Sequence, residues 1–360
     1  MWHLTGPNRF LGKIVDDLHN GISTVAQIPP YYPGDVLDAI KAELDRNGRS
    51  RSEIISSECV STENESRLTA SLNEFQGLNP KDPSDVVAFA TSVRDTVFFC
   101  QVNDVVQWSV WSKWIQNFRN HVQQLPEYDR PAFCIVIPDR FKTIPFDVGL
   151  RPYHWRGVIR EADVGHFVDD LLNHPGESRF FRRLRLSLVI ELARSDLALA
   201  AYLGEISLQA LLKPIQALKN FRLASGWMNS QVPYWTNEAR EEWQDRDEEH
   251  SCYLEMTNQV EAIQRRIWKS QITSMFPYLE NRRLEIVSKV KPLLPRTFQS
   301  LIGESKDAES LELGELCFVL KSTRVPDAIL RELRGLKAIR DELAHLRPAT
   351  FDMISKLNSS

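Results

Sequence analysis

Near the carboxyl-terminal end, the stretch AIRDELAHLRP (338–348) brings Arg340, Asp341 and His345 together in a helical pattern. An imidazole moves protons near neutral pH, and a guanidinium stabilises negative charge building on a phosphate. These residue types suit metal-free cleavage of RNA by its own 2′-hydroxyl. On an ideal helix, residues five apart are separated by about 140°, so Arg340 and His345 do not share a face. The apolar stripe is Leu336, Ile339, Leu343 and Leu346; Arg340 falls on its flank and His345 nearly opposite, free to meet solvent, substrate or a second subunit. Asp341 lies four residues before His345, which should set its carboxylate beside the imidazole and favour the protonated ring. A blander reading uses the same residues. Pro348 disfavours helical geometry at Arg347, so the helix ends just beyond His345, where a positive side chain suits its negative end.

Three other clusters could do chemistry. In SRFFRRLRLS, Arg179, Arg182, Arg183 and Arg185 surround aromatic residues, which suits nucleic-acid phosphates with nearby stacking, or simply a solvated helix face. Trp108, Trp111 and Trp114 recur every three residues, as a stacking stripe or as core packing. His166 sits at helical spacing from Asp163 and Asp169, but no second histidine joins it within a turn, so no metal site is expected. Cys59, Cys100, Cys134, Cys252 and Cys317 never form CxxC spacing; they read as buried thiols of a reducing compartment. No nucleophile elbow, zinc-protease motif or dinucleotide fingerprint is present, so a hydrolase or dehydrogenase of those kinds has no residues to stand on.

These residues need elements to hold them. Apolar runs at 23–28, 53–55, 96–102 and 132–139 alternate with helical patterns, which indicates an α/β region with a mainly parallel sheet over 1–161. Beyond GVIRE (157–161) the pattern is almost wholly helical. A turn-rich stretch at 225–235 reads as a linker, dividing a helical linking subdomain (162–230) from a bundle (231–360). The acidic stretch 238–249 reads as an exposed helix opening. Helices are then expected over 255–276, 278–290, 312–320 and 326–346, with Pro277 separating the first two. A net charge of −4 argues against a generally basic nucleic-acid coat and leaves room for a local basic groove. No apolar run approaches the roughly 20 residues of a membrane span, and the expected address is cytoplasmic.

The segment IRDELAHLRP at the end of a helical bundle resembles the R-x4-6-H motif of the HEPN superfamily, in which Asp341 occupies a position that is often Asn. The resemblance covers about 120 of the 360 residues. It implies a metal-independent ribonuclease acting as a homodimer, with Arg340 and His345, and more weakly Asp341, lining one groove shared by two subunits. The amino-terminal part resembles a degenerate AAA- or STAND-like ATPase domain. Laid on the P-loop pattern, only Gly34 fits. Pro29 replaces the first glycine, Asp35 the lysine and Val36 the hydroxyl residue, and an aspartate at the lysine position would repel phosphate. The resemblances therefore imply no nucleotide cofactor and no ATP hydrolysis. They imply an RNA-cleaving protein of a toxin or antiviral-defence type, governed by its amino-terminal domain. The alternatives are a catalytically silent subunit of a larger defence complex with protein partners, and a nucleic-acid-binding adaptor using the arginine cluster.

Overall fold

The computed structural model describes residues 1–29, 36–46, 51–55, 64–82, 84–172, 176–225, 240–294, 298–299, 305–321, 323 and 325–358. The elements in chain order begin α1 (Thr5–His19), β1 (Ser23–Ile28), α2 (Val36–Arg46), β2 (Arg51–Ile54), α3 (Glu65–Phe75), α4 (Val86–Ser92), β3 (Thr96–Gln101), α5 (Val105–Val122), β4 (Ala132–Pro138) and β5 (Leu150–His154). After them come α6 (Glu161–Leu171), α7 (Arg179–Ala193), α8 (Leu197–Glu205), α9 (Leu208–Leu211), α10 (Ile215–Ala224), β6 (Arg240–Trp243), β7 (Arg246–Glu249) and α11 (Ser251–Met256). The chain continues through α12 (Val260–Val290), the two-residue strands β8 (Phe298–Gln299) and β9 (Ser305–Lys306), α13 (Leu313–Leu320), α14 (Asp327–Ala344) and α15 (Phe351–Ser355).

The contacts divide the chain into two compact units. The first comprises Met1–Phe167, Ser195–Ala198 and Ser230–Glu249; the second comprises Val168–Arg194, Leu199–Asn229 and His250–Ser360.

In the first unit, among the described residues, five strands form one sheet in the order β2-β3-β4-β1-β5. Every pairing within it is parallel. Parallel sheets are covered on both faces, which is why β1, β3 and β4 are almost wholly buried; β3 and β4 are mainly apolar, while β1 also buries Ser23, Thr24 and Gln27. The edge strand β5 escapes pattern reading. It contains Pro152, tolerated because an edge strand pairs on one side only, and most of its side chains are half-buried. Helix α5 is capped by the Asp104 carboxylate, which accepts from the Val106 and Gln107 amides. Its tryptophans settle the choice left open by their spacing: Trp108, Trp111 and Trp114 are buried core residues. The Trp114 ring stacks on Phe118 and meets Phe133 edge-on at 5.1 Å, and its Nε1 donates to the Thr69 hydroxyl at 2.9 Å.

The acidic stretch is not a helix opening. Arg240–Trp243 and Arg246–Glu249 form an antiparallel hairpin, in which Glu241 and Trp243 are buried while Arg240 and Glu242 are exposed. The turn residues Gln244 and Asp245 have φ of 51° and 60°, the paired left-handed conformation that matches strand twist in a two-residue hairpin. Alternation of period two thus overrides the acidic composition.

In the second unit the expected break at Pro277 is absent, and α12 runs unbroken through it for 31 residues. Proline inside a helix costs about 3 kcal/mol and removes the donor for the Thr273 carbonyl. Here Pro277 lies on the exposed side, where water can serve that carbonyl. The opposite face, including Ile263, Ile267, Met275, Leu279, Ile286 and Val287, is buried and holds the helix together. No helix among the described residues is long and apolar enough to cross a membrane. Cys100, Cys134, Cys252 and Cys317 are buried thiols that form no disulfide among the described residues; Cys59 lies outside the described residues, as does most of the 225–235 stretch.

Candidate functional site

Helix α14 carries Arg340, Asp341 and His345 to its carboxyl end. Leu333, Leu336, Ile339 and Leu343 are buried along one face, while the expected fourth stripe residue, Leu346, is two-thirds exposed. The reason is that the helix stops at Ala344: Leu346 turns left-handed, with φ 59°. The Leu346 and Arg347 amides then donate back to the Leu343 and Glu342 carbonyls at 3.2 and 3.0 Å, a Schellman closure. Two contacts from α12 fix this end. Trp268 Nε1 donates to the Leu343 carbonyl at 2.7 Å. The buried Gln271 amide exchanges two hydrogen bonds with the Ala349 backbone, at 2.9 and 2.7 Å.

At the helix end His345 is exposed. Its Nδ1 lies 2.6 Å from the main-chain carbonyl of Asp341. A carbonyl can only accept, so this hydrogen bond places a hydrogen on Nδ1, and in that tautomer the ring's lone pair is on Nε2. The Asp341 carboxylate is not beside the imidazole, contrary to the reading from spacing: it is paired with Lys337, one turn earlier. Asp341 is four residues from both Lys337 and His345; the permanently charged ammonium takes the carboxylate, and the imidazole meets the Asp341 main-chain carbonyl instead. Arg340 is half-buried and reaches Glu312, the cap of α13, at 2.8 Å. Nearby, hydrogen bonds from Arg283 hold the Glu280 carboxyl below its ordinary value, against partial burial, and the Arg340 charge adds to the effect. Arg340 and His345 therefore occupy different faces of one helix end and do not touch.

The arginine cluster divides in two. Arg185 is buried and takes no part in a surface site; it pairs with Glu177 at 3.0 Å and donates to the Ile206 carbonyl at 2.5 Å. Arg179, Arg182 and Arg183 are exposed and line an open groove of about 700 Å3 between α7 and α12. The α12 wall carries Ser274, Pro277, Tyr278 and Asn281, which fall on one face only because the two expected helices, 255–276 and 278–290, are one. Tyr278 packs on Phe180 with ring centroids 4.1 Å apart. Partial burial raises the Tyr278 phenol above its ordinary value, with the neighbouring Arg282 charge opposing, so it stays a hydroxyl.

The sheet has its own place for a ligand. The chain leaves β1 toward β2 at one edge and leaves β4 toward β5 at the other, which makes the β4–β1 crevice the topological switch point. Its residues are tied to one another. The Asp139 amide donates to the Ile28 carbonyl at 2.9 Å, Gln27 Nε2 donates to the Phe141 carbonyl at 2.8 Å, and the Asp139 carboxylate pairs with Arg156 at 2.6 Å. Pro29 is buried; Gly34 and Asp35 lie outside the described residues. The Asp163 carboxylate accepts from the Gly6 and Arg160 amides, while Asp169 pairs with Arg182. Among the described residues no cluster of His, Cys, Asp and Glu is arranged to hold a metal ion.

No family model matches the chain. No curated protein is significantly similar to it. Among solved structures, a chain in the structure of Drosophila ORC bound to AT-rich DNA and Cdc6 aligns over 98% of this chain and 69% of its own, at 14% identity and a TM-score of 0.28.

Proposed function

We propose that this chain is a metal-independent RNA-cleaving protein of the HEPN type, acting as a homodimer in which the α14 ends of two copies face one groove. The observation that carries the reading is His345 itself: exposed, at a pinned helix end, with Nδ1 anchored on the Asp341 carbonyl and Nε2 left for proton transfer. In the reaction Nε2 takes the proton of an RNA 2′-hydroxyl, whose oxygen attacks the adjacent phosphorus. The 5′-oxygen leaves with a proton from water, giving a 2′,3′-cyclic phosphate and a 5′-hydroxyl, and the imidazolium returns its proton to solvent. Arg340 stabilises the charge on the phosphoryl oxygens. Its bond to Glu312 is no obstacle, since both partners are substantially exposed and such a pair is worth about 0–1 kcal/mol. The amino-terminal α/β unit is a regulatory, non-hydrolysing P-loop-like domain in this reading, as suits a cytoplasmic toxin or antiviral-defence protein that stays silent until triggered.

The engagement of Arg340 by Glu312 favours a second reading, a catalytically silent subunit that assembles with protein partners. Incubation of the purified protein with end-labelled RNA in EDTA separates the two. The enzyme reading expects cyclic-phosphate ends that disappear in His345→Ala. No cleavage, or equal cleavage by the variant, leaves the silent subunit.

A further inference from the structure

The geometry between α7 and α12 points to a binding site for single-stranded nucleic acid, with a base stacked on the Phe180–Tyr278 face and phosphates held by Arg179 and Arg183. The groove volume of about 700 Å3 falls within the roughly 300–1,000 Å3 typical of ligand sites. Its floor is apolar, built from Phe180, Leu186, Pro277 and Tyr278, and its rim is cationic. The one carboxylate among its lining residues, Asp169, already pairs with Arg182 at 2.7 Å, which steadies that guanidinium. Arg179 and Arg183 make no ion pair among the described residues and lie four apart, on one face of α7. They are left to meet an anion from outside.

Two features choose the class of anion. Phe180 and Tyr278 pack ring on ring, their planes 30° apart and their centroids 4.1 Å apart, and an outer ring face of such a pair is a surface on which any base can stack. A duplex keeps its base faces buried in its own stack and cannot use it. Asn281, one turn beyond Tyr278, brings an amide that both donates and accepts, which suits the edge of an unpaired base. RNA and DNA single strands share this chemistry.

The proposal stands apart from the cleavage reading, and its test uses full-length protein carrying His345→Ala, so that loss of probe by cleavage cannot mimic loss of binding. Fluorescence anisotropy is followed against salt with a short labelled RNA, the DNA strand of the same sequence, and the corresponding duplex. Single strands should bind more tightly than the duplex, and tighter RNA than DNA identifies RNA as the source. Replacing Arg179 and Arg183 by alanine should lower the slope of log K against log salt by roughly 1.4, at about 0.7 per phosphate contact. Tyr278→Ala should weaken binding about tenfold, while Tyr278→Phe keeps it. Preference for the duplex, or an unchanged affinity and slope in the double arginine variant, overturns the site. Both arginines are exposed, so that variant decides the matter even if Tyr278→Ala fails to fold.

Discussion

At the carboxyl ends of β1 and β4, Asp139 is turned to Arg156 and Gln27 to the Phe141 carbonyl. At α7 and the end of α14, Arg179, Arg183 and His345 are exposed. Both places are where a fold of their kind puts ligands: a topological switch point in one case, a groove between long helices in the other. Under the proposed function, position in the fold does not by itself make a site; side chains that the chain leaves exposed and able to meet a ligand do. Substitutions at inward-turned groups should therefore act on stability, and those at outward-turned groups on binding or chemistry.

The largest stability effect is expected in the aromatic core over the sheet. Trp114 is fully buried, and Trp114→Ala should cost about 3–5 kcal/mol in chemical denaturation. A loss below about 1 kcal/mol would return the tryptophan stripe to candidacy as a surface platform. Next comes a contrast within a single helix. Arg185→Ala leaves Glu177 and the Ile206 carbonyl without their guanidinium and should cost about 3 kcal/mol. Arg183→Ala, on the exposed side, should change stability by no more than about 0.5 kcal/mol. Equal losses would erase the division between buried and groove arginines. The smallest effect is expected from ATP with magnesium, which should leave the Tm unchanged because Asp139 at the end of β4 is already engaged by Arg156 and the Gln27 amide by the Phe141 carbonyl. A rise in Tm would break the comparison at its first term.

Much of the sheet was legible because parallel strands must be apolar on both faces: 23–28, 96–102 and 132–139 fall on β1, β3 and β4. Helix α14 was legible from its 3.6-residue stripe. The hairpin was not, since Glu241 is a buried carboxylate whose strand reads as solvated; it accepts from the Ser195 hydroxyl at 2.6 Å, a partner 46 residues away. Two elements at prolines were not legible: β5, which contains Pro152, and the unbroken run of α12 through Pro277. In both, tertiary context outweighs local preference. At the α14 end, spacing named Asp341 as the histidine's neighbour correctly, but which of its groups meets the ring depended on Lys337. The bond from Gln271 to Ala349 joins residues 78 positions apart and leaves no trace in any local pattern.

The central claim is that each copy supplies half of an RNA-cleaving site. It is tested most directly by measuring RNA cleavage by an equimolar mixture of Arg340→Ala and His345→Ala proteins, read beside wild type and each variant alone. Each variant alone should lose about a hundredfold or more in rate. In the mixture, one copy supplies the arginine and the other the histidine, and cleavage should recover well above the sum of the two variants. A mixture no faster than that sum, beside an active wild type, would contradict a site shared between copies; an inactive wild type would contradict cleavage itself.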